Sequence, residues 1–175
     1  DLASGKTERV TNQNDHDEFY PRYSNDGKSI VYTTWNDQTL GTVKVVSTSG
    51  GEGRTITKTP GHFIEPSFST DGKLVAYRKF TGGFLLNPKY SNEPGIYVAN
   101  LATGEHKRVA PGGTEPHFAG DNSRVYFTTG VPGTDYPEQQ LVSAKSIFTV
   151  QTKLPNFVYR PIKNGWRLPI NLMLS

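Results

Sequence analysis

The sequence predicts an all-β chain, a partial β-propeller of about three four-stranded blades with an irregular C-terminal tail. Three observations predict it. A Pro-x-aromatic unit followed by a polar turn recurs at Pro21, Pro66 and Pro116, spaced 45 and 50 residues apart, in the range of propeller blades. A second unit, Leu-Ala-Ser/Thr-Gly, stands at Leu2–Gly5 and again at Leu101–Gly104, with a variant at Ser47–Gly51. The chain is also rich in turn formers, with 18 Gly and 12 Pro in 175 residues, and only 34% hydrophobic. That composition suits short strands joined by many turns.

The elements follow in order within each copy. Pro21–Tyr32, Glu65–Tyr77 and Pro116–Phe127 hold a first strand, a turn and a second strand. Tyr23, Phe68 and Phe118 alternate with polar neighbours, as on a half-buried strand. Asp26-Gly27 and Asp71-Gly72 are structural hairpin turns, because Gly accepts positive φ and Asp can bond the turn backbone. In the third copy Ala119-Gly120-Asp121-Asn122 lacks both the Ser and the Gly, so a looser turn is expected. Ile30–Tyr32, Leu74–Tyr77 and Val125–Phe127 are the second strands. Thr42–Val46 and Gly95–Val98 are the third, while Arg54–Thr57 and Lys107–Val109 begin the fourth. Each proline is expected at the head of a first strand, where a missing N–H does least harm.

Charge and composition exclude several classes. The absence of cysteine removes a disulfide framework, a thiol nucleophile and a Cys-ligated metal. The net charge of +3 is uneven. After Glu138 there is no acid, but five basic residues follow: Lys145, Lys153, Arg160, Lys163 and Arg167. The remaining 14 basic and 16 acidic residues balance to −2, so the charge gives no support for nucleic-acid binding. No apolar run reaches transmembrane length and no signal peptide is read, so no membrane insertion is expected. The chain begins at Asp1 and its only methionine is Met173, so the natural N-terminus is expected to lie outside it.

The unit Pro-x-aromatic-Ser-x-Asp-Gly-Lys-x-apolar-apolar-Tyr resembles the TolB-type, WD-related propeller repeat over residues 1–143. Asn25 and Thr70 stand where that repeat has a second Pro. More narrowly, Thr34–Asp37, Thr59–Pro66 and Tyr77–Lys79 resemble the propeller portion of large bacterial amidohydrolases, which carry TolB-like blades ahead of a metal-dependent hydrolase barrel. This resemblance implies a non-catalytic module that shapes access to, or docks against, a hydrolase domain. The broader resemblance implies instead a protein-interaction scaffold of the cell envelope, and in either case a periplasmic or envelope location. A propeller with its own active site, such as a lyase, is the third reading. It would need several rim histidines and carboxylates converging on one point.

Candidate site residues are few. Trp35 and Asp37 follow one second strand, Arg78 ends another, and His62 and Glu65 lead into a first strand. In a four-stranded blade these positions share one rim, so a pocket lined by Trp35, Asp37, His62, Glu65 and Arg78 is the binding-site expectation. The bland alternative has Trp35 packed between blades and the charges solvated. His16 lies in a loop equivalent to that of His62. His106 follows a hairpin turn and is expected to be solvated, and His117 holds a blade position occupied elsewhere by Arg22 and Ser67. No His pair has metal-ligand spacing, Ser24 and Ser69 lack a nucleophile elbow, and the Asp-Gly carboxylates do not converge. No catalytic residue, cofactor or metal is therefore assigned. Open blade faces predict self-association, or covering by other blades of a longer parent.

Residues 144–175 lack the repeat. The blade period predicts another first strand near residue 157. One back-translation of Lys153–Asn171, read two bases on, contains Leu-Ser-Pro-Asp-Lys-Lys-Trp-Val-Ala-Phe at that place. The tail accordingly reads as an out-of-frame remnant of the next blade, starting near 143–147; a diverged extension is the alternative. Sequencing the coding DNA through and beyond the codon for Ser175 tests this. Restoring the frame is expected to yield another blade, and the out-of-frame reading falls if none emerges.

Overall fold

The computed structural model describes residues 5–80, 92–130 and 139–146. These residues form three antiparallel sheets. Blade 1 is β1 (Asp17–Tyr23), β2 (Ser29–Trp35), β3 (Val43–Ser47) and β4 (Arg54–Thr55), paired in that order. Blade 2 is β5 (Phe63–Phe68), β6 (Leu74–Lys79), β7 (Gly95–Asn100) and β8 (His106–Ala110). Blade 3 is β9 (Thr114–Phe118), β10 (Arg124–Gly130) and β11 (Gln139–Lys145), with β10 in the middle. Strand β11 runs through the boundary placed at 143. The rest of the predicted tail lies outside the described residues.

Alternation gives each blade two apolar faces, and the cores lie between blades. Val31 and Val43 on the forward face of blade 1 pack with Phe63, Val75, Tyr77 and Ala99 on the rear face of blade 2. Leu74, Ala76, Ile96 and Val98 on the forward face of blade 2 pack with Val125 and Phe127 on the rear face of blade 3. Phe68 and Phe118, one repeat apart, fill in against these two clusters respectively. Val31, Val75, Val98, Ile96 and Val125 are fully buried, each worth about 1.5–3 kcal/mol on removal from water.

The prolines are not at strand heads. Each sits inside its first strand, at a bulge where two residues face one. The register of β1 on β2 shifts between Phe19 and Arg22, that of β5 on β6 between Ile64 and Ser67, and β9 on β10 is irregular at the same place. Tyr20-Pro21, Glu65-Pro66 and Glu115-Pro116 thus lie opposite Tyr32, Tyr77 and Phe127. The residue before each proline is left-handed, with φ of 53°, 55° and 52°. A bulge interrupts the ladder, so proline's missing donor costs no strand pairing there.

The turns after the first strands are closed by a repeated side-chain network. Ser69 Oγ accepts from Leu74 N at 2.8 Å and donates to Asp71 Oδ1 at 2.7 Å, which also accepts from Lys73 N at 3.2 Å. Ser24, Asp26 and Lys28 repeat it in blade 1. The serine hydroxyls hold the carboxyls of Asp26 and Asp71 below the usual range. Gly27 and Gly72 take φ of 68° and 70°. The turn of blade 3 is not looser. Asn122 adopts φ 60° in the glycine's place, as Asn can at little cost. Ala119 N bonds Arg124 O at 2.8 Å, just as Ser69 N bonds Leu74 O at 2.9 Å. Asp121 Oδ1 accepts from both Ser123 N and Ser123 Oγ, replacing the lost serine.

Ser69→Ala should therefore lower stability by about 1–2 kcal/mol, because the buried Leu74 N–H loses its acceptor. Urea denaturation of the two chains checks it, and an unchanged midpoint would show that the network is dispensable.

Candidate functional site at the blade rim

The candidate residues are positioned by a close contact of two loops. Gly41 and Gly61 exchange backbone hydrogen bonds of 3.0 and 2.9 Å between blades 1 and 2. A Cβ on Gly41 would collide with the carbonyl oxygens of Thr34 and Gly61, so only glycine permits the approach. The bridge sets His62 beside Trp35, whose ring centroid lies 5.2 Å from the imidazole. On its other side His62 meets Phe80 edge-on at 5.1 Å. The Arg78 guanidinium stands 4.8 Å from the Phe80 centroid and contacts Glu65 Oε1 at 3.3 Å. Glu65 Oε2 then accepts from Glu115 N of blade 3 at 2.7 Å.

Trp35, His62, Arg78 and Glu65 thus form one line of contacts across three blades. Asp37 caps its first end, accepting from Trp35 Nε1 at 2.7 Å. The five do not enclose a single pocket, because His62 fills the space between Trp35 and Phe80. An open depression of about 420 Å³ lies instead between residues 14–17 and 35–38. Trp35 and Asp37 line it; His62, Glu65 and Arg78 do not. Its two walls are tied by Asn36, whose amide donates to Asp15 O at 2.8 Å while its Oδ1 accepts from Gln38 N and Thr39 N. His16 forms its inner wall, with Nδ1 2.7 Å from Asp15 Oδ1 and a side chain only 6% exposed. The Asp15 carboxyl is held below its ordinary range, first by a hydrogen bond from its own backbone and also by the charges of His16 and Lys44.

The depression is therefore acidic and hydrogen-bonding, with Asp15, Asp17 and Asp37 around an indole. It suits a cationic or amide-rich segment. Among the described residues no group of three or more His, Asp or Glu is placed to hold a metal.

Sequence reasoning missed Phe80, Asn36, Asp15 and the Glu115 N–H. Phe80 occupies the position of Trp35 one repeat on, which was the available signal. His106 is not solvated. It is half-buried, with Nδ1 2.8 Å from Tyr77 Oη, because β8 lays it along the rear face of blade 2. His117 lies exposed on β9.

No family model matches the chain. Over 100 residues it is 36% identical to the Tol-Pal system protein TolB of Francisella tularensis subsp. holarctica, a match covering 57% of this chain and 21% of that protein. The TolB of subsp. mediasiatica is 35% identical over the same shares. The chain thus spans about a fifth of the length of the curated relatives it matches. Among solved structures, TolB from Acinetobacter baumannii superposes with a TM-score of 0.60 at 19% identity, covering 86% of this chain and 35% of that one. An oligogalacturonate lyase from Vibrio parahaemolyticus gives 0.55 at 16% identity, covering 75% and 36%. Three sheets of three to four antiparallel strands, packed face to face, define a partial β-propeller. Its repeat is of the TolB-like kind.

Burial holds the pKa of His62 below its ordinary value, with the Arg78 charge adding to the effect. Burial likewise lowers that of His106. Both take up a proton less readily in the fold than in the unfolded chain, which therefore binds more protons as pH drops through about 6.5. Stability should be full above that pH and should decline as pH falls below it. Thermal melts on both sides of pH 6.5 check it. His62→Gln should flatten the profile, and a profile unchanged by the substitution would count against the assignment.

Proposed function

We propose that this chain is a non-catalytic TolB-like propeller scaffold of the cell envelope that presents its acidic rim depression to a protein partner. The single observation carrying this reading is the 36% identity over 100 residues to a Tol-Pal system protein. The rim chemistry supports it. Trp35 offers a large amphipathic surface of the kind that anchors protein interfaces, and Asp15, Asp17 and Asp37 around it favour a partner segment carrying Lys or Arg. A hydrolase domain docking on the same rim is the second reading, and the patterns at Thr34–Asp37, Thr59–Pro66 and Tyr77–Lys79 favour it.

Calorimetric titration of the chain with each purified component of a Tol-Pal system tests the proposal. One component should bind. Trp35→Ala and Asp37→Lys should each weaken it roughly tenfold or more, while Lys28→Ala, in the first-to-second-strand turn of blade 1, should leave it unchanged. Absence of binding to every component, or equal loss with Lys28→Ala, would sink it.

A further inference from the structure

We propose that Asp26-Gly27 and Asp71-Gly72 are latent isoaspartate sites, and that the hydroxyls of Ser24 and Ser69 keep them closed in the folded chain. The chain has two Asp-Gly bonds, and both stand at these turns. Asp-Gly is the aspartyl pair most open to self-modification, because glycine has no side chain to shield its backbone nitrogen. In that reaction the glycine nitrogen attacks Cγ of the aspartate. A C–N bond forms, the carboxyl gives up OH and the amide gives up H, and these leave together as water. Water then reopens the cyclic imide. Addition at the side-chain carbonyl restores aspartate. Addition at the main-chain carbonyl leaves isoaspartate, with the chain running on through the side chain.

Bulk does not protect either bond. Asp26, Gly27 and Asp71 are exposed and Gly72 is half-buried. Nothing stands within 4 Å of where a Cβ on either glycine would lie. Hydrogen bonding holds the reaction back instead, at three points. Ring closure needs the glycine hydrogen released, and Gly27 N donates it to Ser24 O, as Gly72 N does to Ser69 O, each at 2.9 Å. Closure needs the aspartate to rotate, and its Oδ1 is clamped from both sides. It accepts from the serine hydroxyl at 2.7 Å in both turns, and from Lys28 N at 3.1 Å or Lys73 N at 3.2 Å beyond the glycine. Closure also needs a neutral carboxyl that can shed OH. The serine hydroxyl is the chief influence keeping each carboxyl ionised to lower pH than usual.

The hydroxyl thus supplies much of the second restraint and most of the third. It is itself fixed, accepting from Ser29 N at 2.9 Å in blade 1 and from Leu74 N at 2.8 Å in blade 2. Ser24 and Ser69 are 7% and 1% exposed, so water has little access to displace them.

Blade 3 completes the pattern. Ala119 stands in place of the serine, and the pair that follows is Asp121-Asn122. The backbone bond persists there, Asn122 N to Ala119 O at 2.9 Å, but the guarding hydroxyl of the other copies is gone. The copy without that hydroxyl is also the copy without the vulnerable bond, since the Asn122 side chain shields its own nitrogen.

Site-resolved peptide mapping of the full chain, aged for weeks at neutral pH and physiological temperature, tests this. Isoaspartate should build up at both turns at least about tenfold more slowly in the folded chain than in the same chain held in urea. Ser69→Ala should speed it roughly fivefold or more at Asp71 while leaving Asp26 unchanged, and Ser24→Ala should do the reverse. The reciprocal pair separates loss of the guard from loss of stability, because a chain that merely unfolds more often would age at both turns together. Equal rates in the folded and unfolded chain overturn the proposal. So does a serine variant whose own turn ages no faster than in the unaltered chain, or whose two turns speed up alike.

Discussion

The left-handed residue before each first-strand proline is the constraint on which the rest depends. An L-residue with φ near 50–55° costs on the order of 1–2 kcal/mol, and the chain adopts it before every first-strand proline, at Tyr20, Glu65 and Glu115. The return is directional. The bulge breaks the ladder opposite an aromatic of the second strand and leaves Pro66 and Pro116 buried. It also turns the N–H of Glu115 toward the preceding blade, where Glu65 accepts it. Without the bulge that N–H would be spent within its own sheet, and the Glu65 carboxylate would lose its bond to the next blade.

Blade-to-blade adhesion is therefore both apolar and polar. Packing of forward on rear faces supplies the larger part through buried Val, Ile and aromatic area. Polar cross-links fix the angle at which those faces meet. Glu65 works near the bulges, Ser67 Oγ donates to Pro116 O at 2.6 Å, and Thr70 N donates to Asn122 Oδ1 at 2.7 Å by the turns. The Gly41–Gly61 bridge plays this part between blades 1 and 2. It sets the Trp35–His62 contact, so the rim site and the scaffold share one fastening.

The fold was legible because its signals are local and repeated. The Asp-Gly turns, the alternation around Tyr23 and Phe68, and the 45–50 residue period all follow from backbone preference and side-chain burial. The proline position was not legible in detail. Proline marks both strand heads and bulges, and only pairing with Tyr32 and Tyr77 separates the two. At the rim, the repeat was enough to bring Trp35, His62, Glu65 and Arg78 to one end of the blades. It could not say that His62 would fill the gap it was expected to line, since that depends on Phe80, one blade away from Trp35. His106 was misjudged for a related reason. A hairpin position sets exposure only when no neighbouring strand carries a partner, and Tyr77 supplies one.

Asn122 has a consequence beyond its own turn. It replaces the glycine of the other copies, keeps the same backbone shape, and adds an amide that reaches Thr70 across the blade boundary. The copy that looks most eroded is thus the one that has acquired an adhesive side chain. Divergence among repeats here records a division of labour: Gly72 supplies conformational freedom, and Asn122 exchanges some of it for grip on its neighbour. A consensus sequence averaged over the three copies would erase that specialisation, and the blades would become more alike and less firmly joined.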